Sequence, residues 1–208
     1  MCFLKSFKLL LFVLLLCSNV TYGQVTFGVK AGLNASKGEF KPYQDESLNY
    51  IIRYHAGILA EIDVYKGFYI KPEVLYSIKG WNTSTTYFSK GIDMNLHYIN
   101  IPILAGYRIN DHISFLSGIE YGYLLKAGQA PGGVVERFFQ KRDLGLSVGT
   151  VLNFASRFGI ELRYTRGFKG LLKDVAMTDE FGIPTHIIDV VGSNMVFQIS
   201  TRYRFNFN

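Results

Sequence analysis

The chain has 208 residues, with 22 lysines and arginines against 16 aspartates and glutamates, a formal net charge of +6. The basic residues are scattered without a charge run, which disfavours nucleic-acid binding. No nucleotide-binding glycine loop, paired-cysteine metal motif or nucleophile elbow occurs, so the sequence predicts no cofactor, no metal site and no enzymatic activity.

The amino terminus has the pattern of a secretory signal peptide. Lys5 and Lys8 precede an apolar run over residues 9–16, and small and polar residues follow up to Gly23. The apolar run is far shorter than the ~20 residues of a transmembrane helix. Lipidation at Cys17 is disfavoured because Leu16 stands where a lipid-attachment site has a small residue. The sequence therefore predicts a signal peptide over 1–23 and one domain over 24–208.

Apolar residues recur with period two through the rest of the chain, a pattern that indicates strands. In residues 157–167, for example, Phe158, Ile160, Leu162 and Tyr164 share one face. The pattern predicts eight strands, over residues 25–35, 53–63, 67–79, 94–109, 112–126, 141–154, 157–167 and 194–207.

The predicted connections alternate in length. Those over 36–52, 80–93, 127–140 and 168–193 are long, and those over 64–66, 110–111 and 155–156 are short. Tight periplasmic turns and longer outer loops are typical of outer-membrane barrels, and an even number of strands places both termini in the periplasm. The expected fold class is all-β: an eight-stranded, antiparallel, up-and-down transmembrane β-barrel in the outer membrane.

The charged face decides which side of this barrel meets lipid. Lysines and arginines at mid-strand would cost ~2 to 4 kcal/mol each against lipid, so we expect this face to line a narrow, filled lumen. A soluble, lipocalin-like barrel with the opposite arrangement is the alternative; the alternating loops and two belts of aromatic residues disfavour it. The predicted lumen charge network comprises Lys30, Glu61, Lys71, Glu73, Arg108, Glu120, Glu161, Arg163, Arg202 and Arg204, and the same alternation adds Arg53, Asp63, Lys79, Lys126 and Asp143.

Three local features stand apart from this pattern. Pro72 and Pro102 each remove a ladder hydrogen bond, so we expect a local bulge or bend between the third and fourth strands. His112 and Ser114 have the two-residue spacing of a lipid-A-modifying barrel enzyme, but by alternation Ser114 faces the lumen beside a short turn. We therefore interpret them as a turn histidine and a lumen serine.

The sequence resembles the PorT-like outer-membrane β-barrel domain family, often labelled porin family. The resemblance is carried by Gly28 to Asn34, Lys71 to Ser77, Tyr98 to Leu104 and Leu162 to Tyr164. It implies an outer-membrane barrel, and the family's namesake implies an accessory role in protein secretion. The ending Phe207-Asn208 departs from the terminal aromatic residue that such barrels usually carry.

We expect a non-enzymatic envelope protein whose outer loops, especially 168–193, make its contacts. Expected partners are outer-membrane lipid and lipopolysaccharide, together with envelope or secretion proteins. An accessory role in an outer-membrane secretion system, a small diffusion pore and a lipid-A-modifying enzyme are the alternatives.

Overall fold

The computed structural model describes residues 25–41, 48–83, 93–130, 133–134, 139–168, 175–178, 184–188 and 191–205. The predicted signal peptide lies outside these residues. Among them no helix is long and apolar enough to cross a membrane.

Eight long strands form the fold, which confirms the predicted number and class. They are β1 (Val25–Lys41), β2 (Ile51–Tyr65), β3 (Phe68–Thr83), β4 (Asp93–Arg108), β5 (Ile113–Ala130), β6 (Arg142–Asn153), β7 (Phe158–Gly167) and β8 (Val191–Arg204). Each pairs antiparallel with the next, and β8 pairs with β1 from Gly28 opposite Arg204 to Lys41 opposite Val191. The sheet is therefore a closed barrel.

The two ends of the barrel differ. At one, here called the turn end, Lys66 and Gly67 both have positive φ, 42° and 86°, and join β2 to β3 as a tight hairpin turn. A second short turn precedes β5, where the Asn110 side chain accepts hydrogen bonds from the backbone N–H groups of His112 and Ile113. Both ends of the barrel sequence, Val25 and Arg204, lie at the turn end. The opposite end, the loop end, carries the long connections.

Strands at the loop end continue beyond their predicted limits. β1 reaches Lys41 and β3 reaches Thr83, whereas the pattern predicted ends at 35 and 79. Antiparallel pairing satisfies backbone hydrogen bonds wherever two chains run side by side, so strands extend past the apolar alternation that made them predictable. Short strands Leu48–Asn49 and Gly133–Val134 add to this end, and Val175–Thr178 pairs with Pro184–Ile188 as a separate hairpin.

The two faces have the polarity of a membrane barrel. Large apolar side chains point outward and are exposed, as at Ile58 and Phe68. Alternate positions point inward and are buried, including charged Lys30, Lys71 and Arg163. Outward aromatic residues pair near both ends of the barrel. The ring centroids of Phe68 and Tyr107 are 4.6 Å apart at the turn end, and those of Tyr54 and Tyr76 are 6.4 Å apart closer to the loop end.

Two local predictions can be compared with the strand pairing. A bulge or bend was expected between β3 and β4, and pairing is interrupted there beside Pro102, but Pro72 opposite Ile103 and Leu75 opposite Asn100 keep the same register, so the interruption is not a bulge. A bulge does occur between β4 and β5, where His97 pairs with Lys126 and Tyr98 with Leu124. The extra residue reverses the alternation, so Lys126 is exposed and Ala127 is buried. The inward placement predicted for Lys126 was wrong.

Gly106 makes room for a buried aromatic ring. A Cβ at Gly106 would lie 2.2 Å from the ring of Tyr69, which is only 2% exposed.

We predict that Gly106→Val displaces this ring and lowers the free energy of unfolding by about 1–3 kcal/mol. Ala105→Val, on the exposed outward face of the same strand, is the matched control. Urea unfolding of the protein refolded in detergent micelles measures both; equal stability of the two variants would contradict the packing described.

Candidate functional site

The centre of the lumen holds a cluster of five charged side chains from three strands: Lys30 on β1, Lys71 and Glu73 on β3, and Glu161 and Arg163 on β7. Lys30 Nζ lies 2.6 Å from Glu161 and 3.5 Å from Glu73. Lys71 Nζ lies 3.1 Å from Glu73 and also contacts Glu161. Arg163 Nη2 lies 2.7 Å from Glu73 and 2.5 Å from Glu161. All five side chains are at most 1% exposed.

Glycines provide the space for these long side chains. Gly57 lies directly opposite Lys30, and Gly149 lies directly opposite Arg163. A Cβ at Gly149 would come 3.4 Å from that of Arg163. Since an eight-stranded lumen is only wide enough for its own side chains, large charged residues require small partners across the strand pair.

The central cluster carries three cations and two anions, and a neighbouring group balances it. Glu120 on β5 accepts hydrogen bonds from Lys79 at 2.9 Å and from Asn100 at 2.6 Å. Its second oxygen lies 4.0 Å from Arg163 Nη1. Nearby, Asp143 accepts a hydrogen bond from Asn194 at 3.1 Å. The four buried cations of the middle lumen thus face four carboxylates.

A third charged group occupies the mouth of the barrel at the turn end. Arg202 contacts Glu61, and Arg108 lies 2.5 Å from Asp63 and 3.5 Å from Glu61. Arg204 Nη1 lies 3.6 Å from Glu61. The Arg108 and Arg204 side chains are 28% and 20% exposed. The structure thus places all ten residues of the predicted lumen network inward, eight in the interior and these two at its rim.

Apolar layers lie beside the charges toward both ends. Tyr69, Leu104, Leu116 and Val151 pack together within a few residues of the turn end. A larger group packs in the loop-end half: Trp81, Met94, Leu96, Tyr98, Leu124, Ala127 and Phe139. These inward apolar residues exclude water from the charged middle of the barrel, which strengthens the ion pairs there.

Sequence reasoning missed a hydrogen-bonded chain around His55. Its Nδ1 lies 2.7 Å from Asn34 Oδ1, and its Nε2 lies 2.7 Å from Ser200 Oγ. The order serine, histidine, asparagine is that of an activated nucleophile, but all three residues are at most 2% exposed inside the lumen. A substrate has no room beside them, so we interpret the chain as a structural bridge between β1, β2 and β8. Alternation alone would have placed His55 inward; its partners depend on the strand register.

His112 and Ser114, the pair considered for catalysis, do not assemble into a site. Ser114 is buried in the lumen, and His112 is exposed in the turn before β5. His97 points outward and forms a 2.6 Å hydrogen bond with the Tyr76 hydroxyl. Within the described part of the chain, no three His, Cys, Asp or Glu residues are grouped to hold a metal ion.

Comparisons with known proteins agree with this geometry. A model of the outer membrane protein β-barrel domain family matches residues 18–173. Neisserial surface protein A has the same fold, with a TM-score of 0.55 at 13% identity over 88% of this chain and 99% of that one.

Two further solved barrels are similar. One is Ail of Yersinia pestis, solved with the heparin analogue sucrose octasulfate, which has a TM-score of 0.49 at 15% identity over 88% of this chain and 99% of that one. The other is OprG of Pseudomonas aeruginosa, which has a TM-score of 0.46 at 9% identity over 89% of this chain and 98% of that one. No curated protein sequence matches the chain significantly.

The central cluster generates a prediction about stability. Glu161→Gln removes an anion that contacts three buried cations, and we expect it to lower the free energy of unfolding by about 3–5 kcal/mol. The double variant Lys71→Met with Glu161→Leu should lose less than Glu161→Gln, because it removes a cation along with the anion. Arg53→Gln is the control, since the Arg53–Asp93 pair at the loop end is partly exposed and such pairs contribute at most about 1 kcal/mol.

Fluorescence of Trp81, the one tryptophan of the chain, follows the unfolding in detergent micelles. If Glu161→Gln unfolds at the same urea concentration as Arg53→Gln, the central cluster does not stabilise the barrel.

Proposed function

Because the chain belongs to the outer membrane protein β-barrel domain family, we propose that this outer-membrane envelope protein is a sealed, non-enzymatic anchor that presents its long connections to binding partners. The observation that carries the proposal is the filled lumen. Charged side chains that would line a water channel are instead buried and paired with one another. The working surfaces left to such a barrel are its two ends and its outer face.

The proposed orientation places the turn end and both ends of the barrel sequence in the periplasm. Short turns are typical of the periplasmic side of bacterial barrels, and longer connections of the external side. The loop end, with Arg53, Asp93 and the extended hairpins, would then face the outside of the cell.

The connection over residues 168–193 is our first choice for the binding surface. It is the longest between neighbouring barrel strands, and its sequence contains many apolar residues, among them Leu171, Leu172, Met177 and Phe181. Long connections on a rigid scaffold often carry function, and this one has more apolar residues than a solvated loop needs. The backbone pairing of Val175–Thr178 with Pro184–Ile188 supports a preformed hairpin, while residues 169–174, 179–183 and 189–190 lie outside the described structure.

A narrower assignment follows from the PorT-like resemblance. As an accessory component of a secretion system, the barrel would use the same loop end to contact secretion proteins. Lipopolysaccharide and other outer-membrane lipids are the alternative class of partner for this end. The identity of cross-linked material distinguishes the two.

The sealed lumen predicts that the barrel does not conduct. Purified protein inserted into planar bilayers should give no steady single-channel current of large-porin size, because the eight-stranded interior is occupied by side chains. A variant with the middle opened, Lys71→Ala with Glu73→Ala and Glu161→Ala, tests whether the charge cluster is the barrier. Stable openings by the unaltered protein would refute the sealed anchor.

Shortening the 168–193 connection tests the binding surface. Replacing residues 172–190 by a short Gly-Ser bridge leaves the barrel pairs of β7 and β8 intact, since these end at Arg166 opposite Met195. We expect a barrel that still resists dodecyl sulfate until heated but captures fewer partners on mild cross-linking in native envelopes. The control replaces residues 84–92, between β3 and β4, in the same way. Retention of every cross-linked partner by the first variant would remove this connection as the binding surface.

A further inference from the structure

The outward face of the barrel carries an apolar groove of about 750 Å³ that runs across the strands. It lies along two neighbouring rows of paired residues. One row includes Ala35, Phe197 and Tyr164, and the other includes Ile199 and Leu162. From β2 to β5 the groove crosses five strand spacings, roughly 24 Å around the barrel.

Short side chains create the groove. Ala35 on β1 and Thr150 on β6 lie between larger neighbours, and four inward-facing residues also line the groove, so its floor lies at the sheet itself; these are Leu116, Gly149, Arg163 and Gln198. The rings of Tyr164 and Phe197, 4.7 Å apart between centroids, stand beside it. The groove is thus long, narrow and apolar, dimensions that suit an extended hydrocarbon chain.

Two cations lie on the next row toward the loop end. Lys37 pairs with Met195, and Met195 pairs with Arg166, so the two cationic residues are separated by two strand spacings, roughly 10 Å. Lys37 lies two residues after Ala35 on β1, and Arg166 lies two residues after Tyr164 on β7. Because residues two apart on a strand share one face, both cationic side chains point outward like the groove. The Arg166 side chain is 47% exposed and accessible to an anion.

One carboxylate shares this region. Glu39, two residues beyond Lys37 on β1, accepts a hydrogen bond from Arg166 at 2.7 Å. Because both partners are partly exposed, the pair is weak and a phosphate can displace the carboxylate. Together Lys37, Arg166 and Glu39 carry a net positive charge.

We propose that this groove and the cationic row above it form a binding site for lipid A, the phosphorylated anchor of lipopolysaccharide. An acyl chain occupies the groove, and Arg166 and Lys37 bind phosphate, for which the guanidinium offers paired donors. The inference deepens the proposed function and depends on its orientation, since only a loop end facing outward places the cationic row in the lipopolysaccharide leaflet.

The occupant follows from the shape and charge together. A protein partner would need to match a surface that the membrane already covers, whereas lipid is present at every outward position. Lipid A carries a phosphate at each end of its disaccharide and several acyl chains, so it can engage two separated cations and the groove at once. A glycerophospholipid with a single phosphate, such as phosphatidylglycerol, would engage only one of the cations.

Native mass spectrometry of the detergent-folded full mature chain with added purified lipid A tests the site. We expect Lys37→Gln with Arg166→Gln to weaken lipid A binding about tenfold, the loss of charge-assisted phosphate contacts. Glu39→Gln should strengthen it, because the competing carboxylate is removed. Ala35→Leu with Thr150→Leu should weaken it by filling the groove while both cations remain.

Lys126→Gln is the matched control, because Lys126 is an exposed lysine near the loop end on a strand outside the groove's cationic row. Heat-dependent mobility confirms that each variant folds. Equal lipid A binding by the double-cation variant and the Lys126→Gln control would overturn the proposal, as would phosphatidylglycerol binding with equal affinity and the same dependence on Lys37 and Arg166.

The variant lacking residues 172–190 should bind lipid A normally. Loss of partner capture by that variant with lipid A binding intact supports both proposals. Because the assay in detergent requires neither membrane orientation nor the 168–193 connection, failure here leaves the proposed function standing, and failure of the cross-linking experiment leaves the lipid site standing.

Discussion

The structure depends on keeping buried opposite charges in contact inside a narrow barrel. Lys30, Lys71 and Arg163 are stable in the interior because Glu73 and Glu161 reach all three. A slip of one residue in any of the strands β1, β3 or β7 would turn these side chains toward lipid. The ion pairs thus fix the register of three strands that are not neighbours, and the apolar outer face follows from that register.

This arrangement reverses the usual distribution of a soluble protein and restricts what the barrel can do. Many of the buried polar groups pair with one another, as in the His55 chain and the Glu120 group, and an eight-stranded interior has little space beyond its own side chains for a solute. Apolar layers near both ends add to the closure. The proposed recognition therefore falls to the outer face and the two ends, where packing places fewer demands on the side chains.

Period-two alternation made the fold predictable because every strand has one face in lipid and one in the lumen. The same rule placed Glu61 and Arg202 inward, but it could not identify them as partners, since contacts across a barrel depend on register and shear rather than on parity. Alternation failed at Lys126, where a bulge shifted the parity. Alternation also could not predict the groove, because the short side chains of Ala35 and Thr150 create space only next to larger residues on other strands.

Closure by β1 and β8 has a consequence for how the barrel forms. Lys30 and Glu161 are 131 residues apart in the chain, and β1 finds its second neighbour only when the last strand arrives. Contacts of such long range are formed slowly. Until the ends meet, Lys30 and Lys71 lack Glu161 on β7 and share Glu73 on β3 as their carboxylate partner, so open intermediates bear an excess of positive charge that the membrane disfavours. Closure therefore links assembly and charge pairing in one cooperative step. A barrel that has not closed is not expected to be stable in the bilayer.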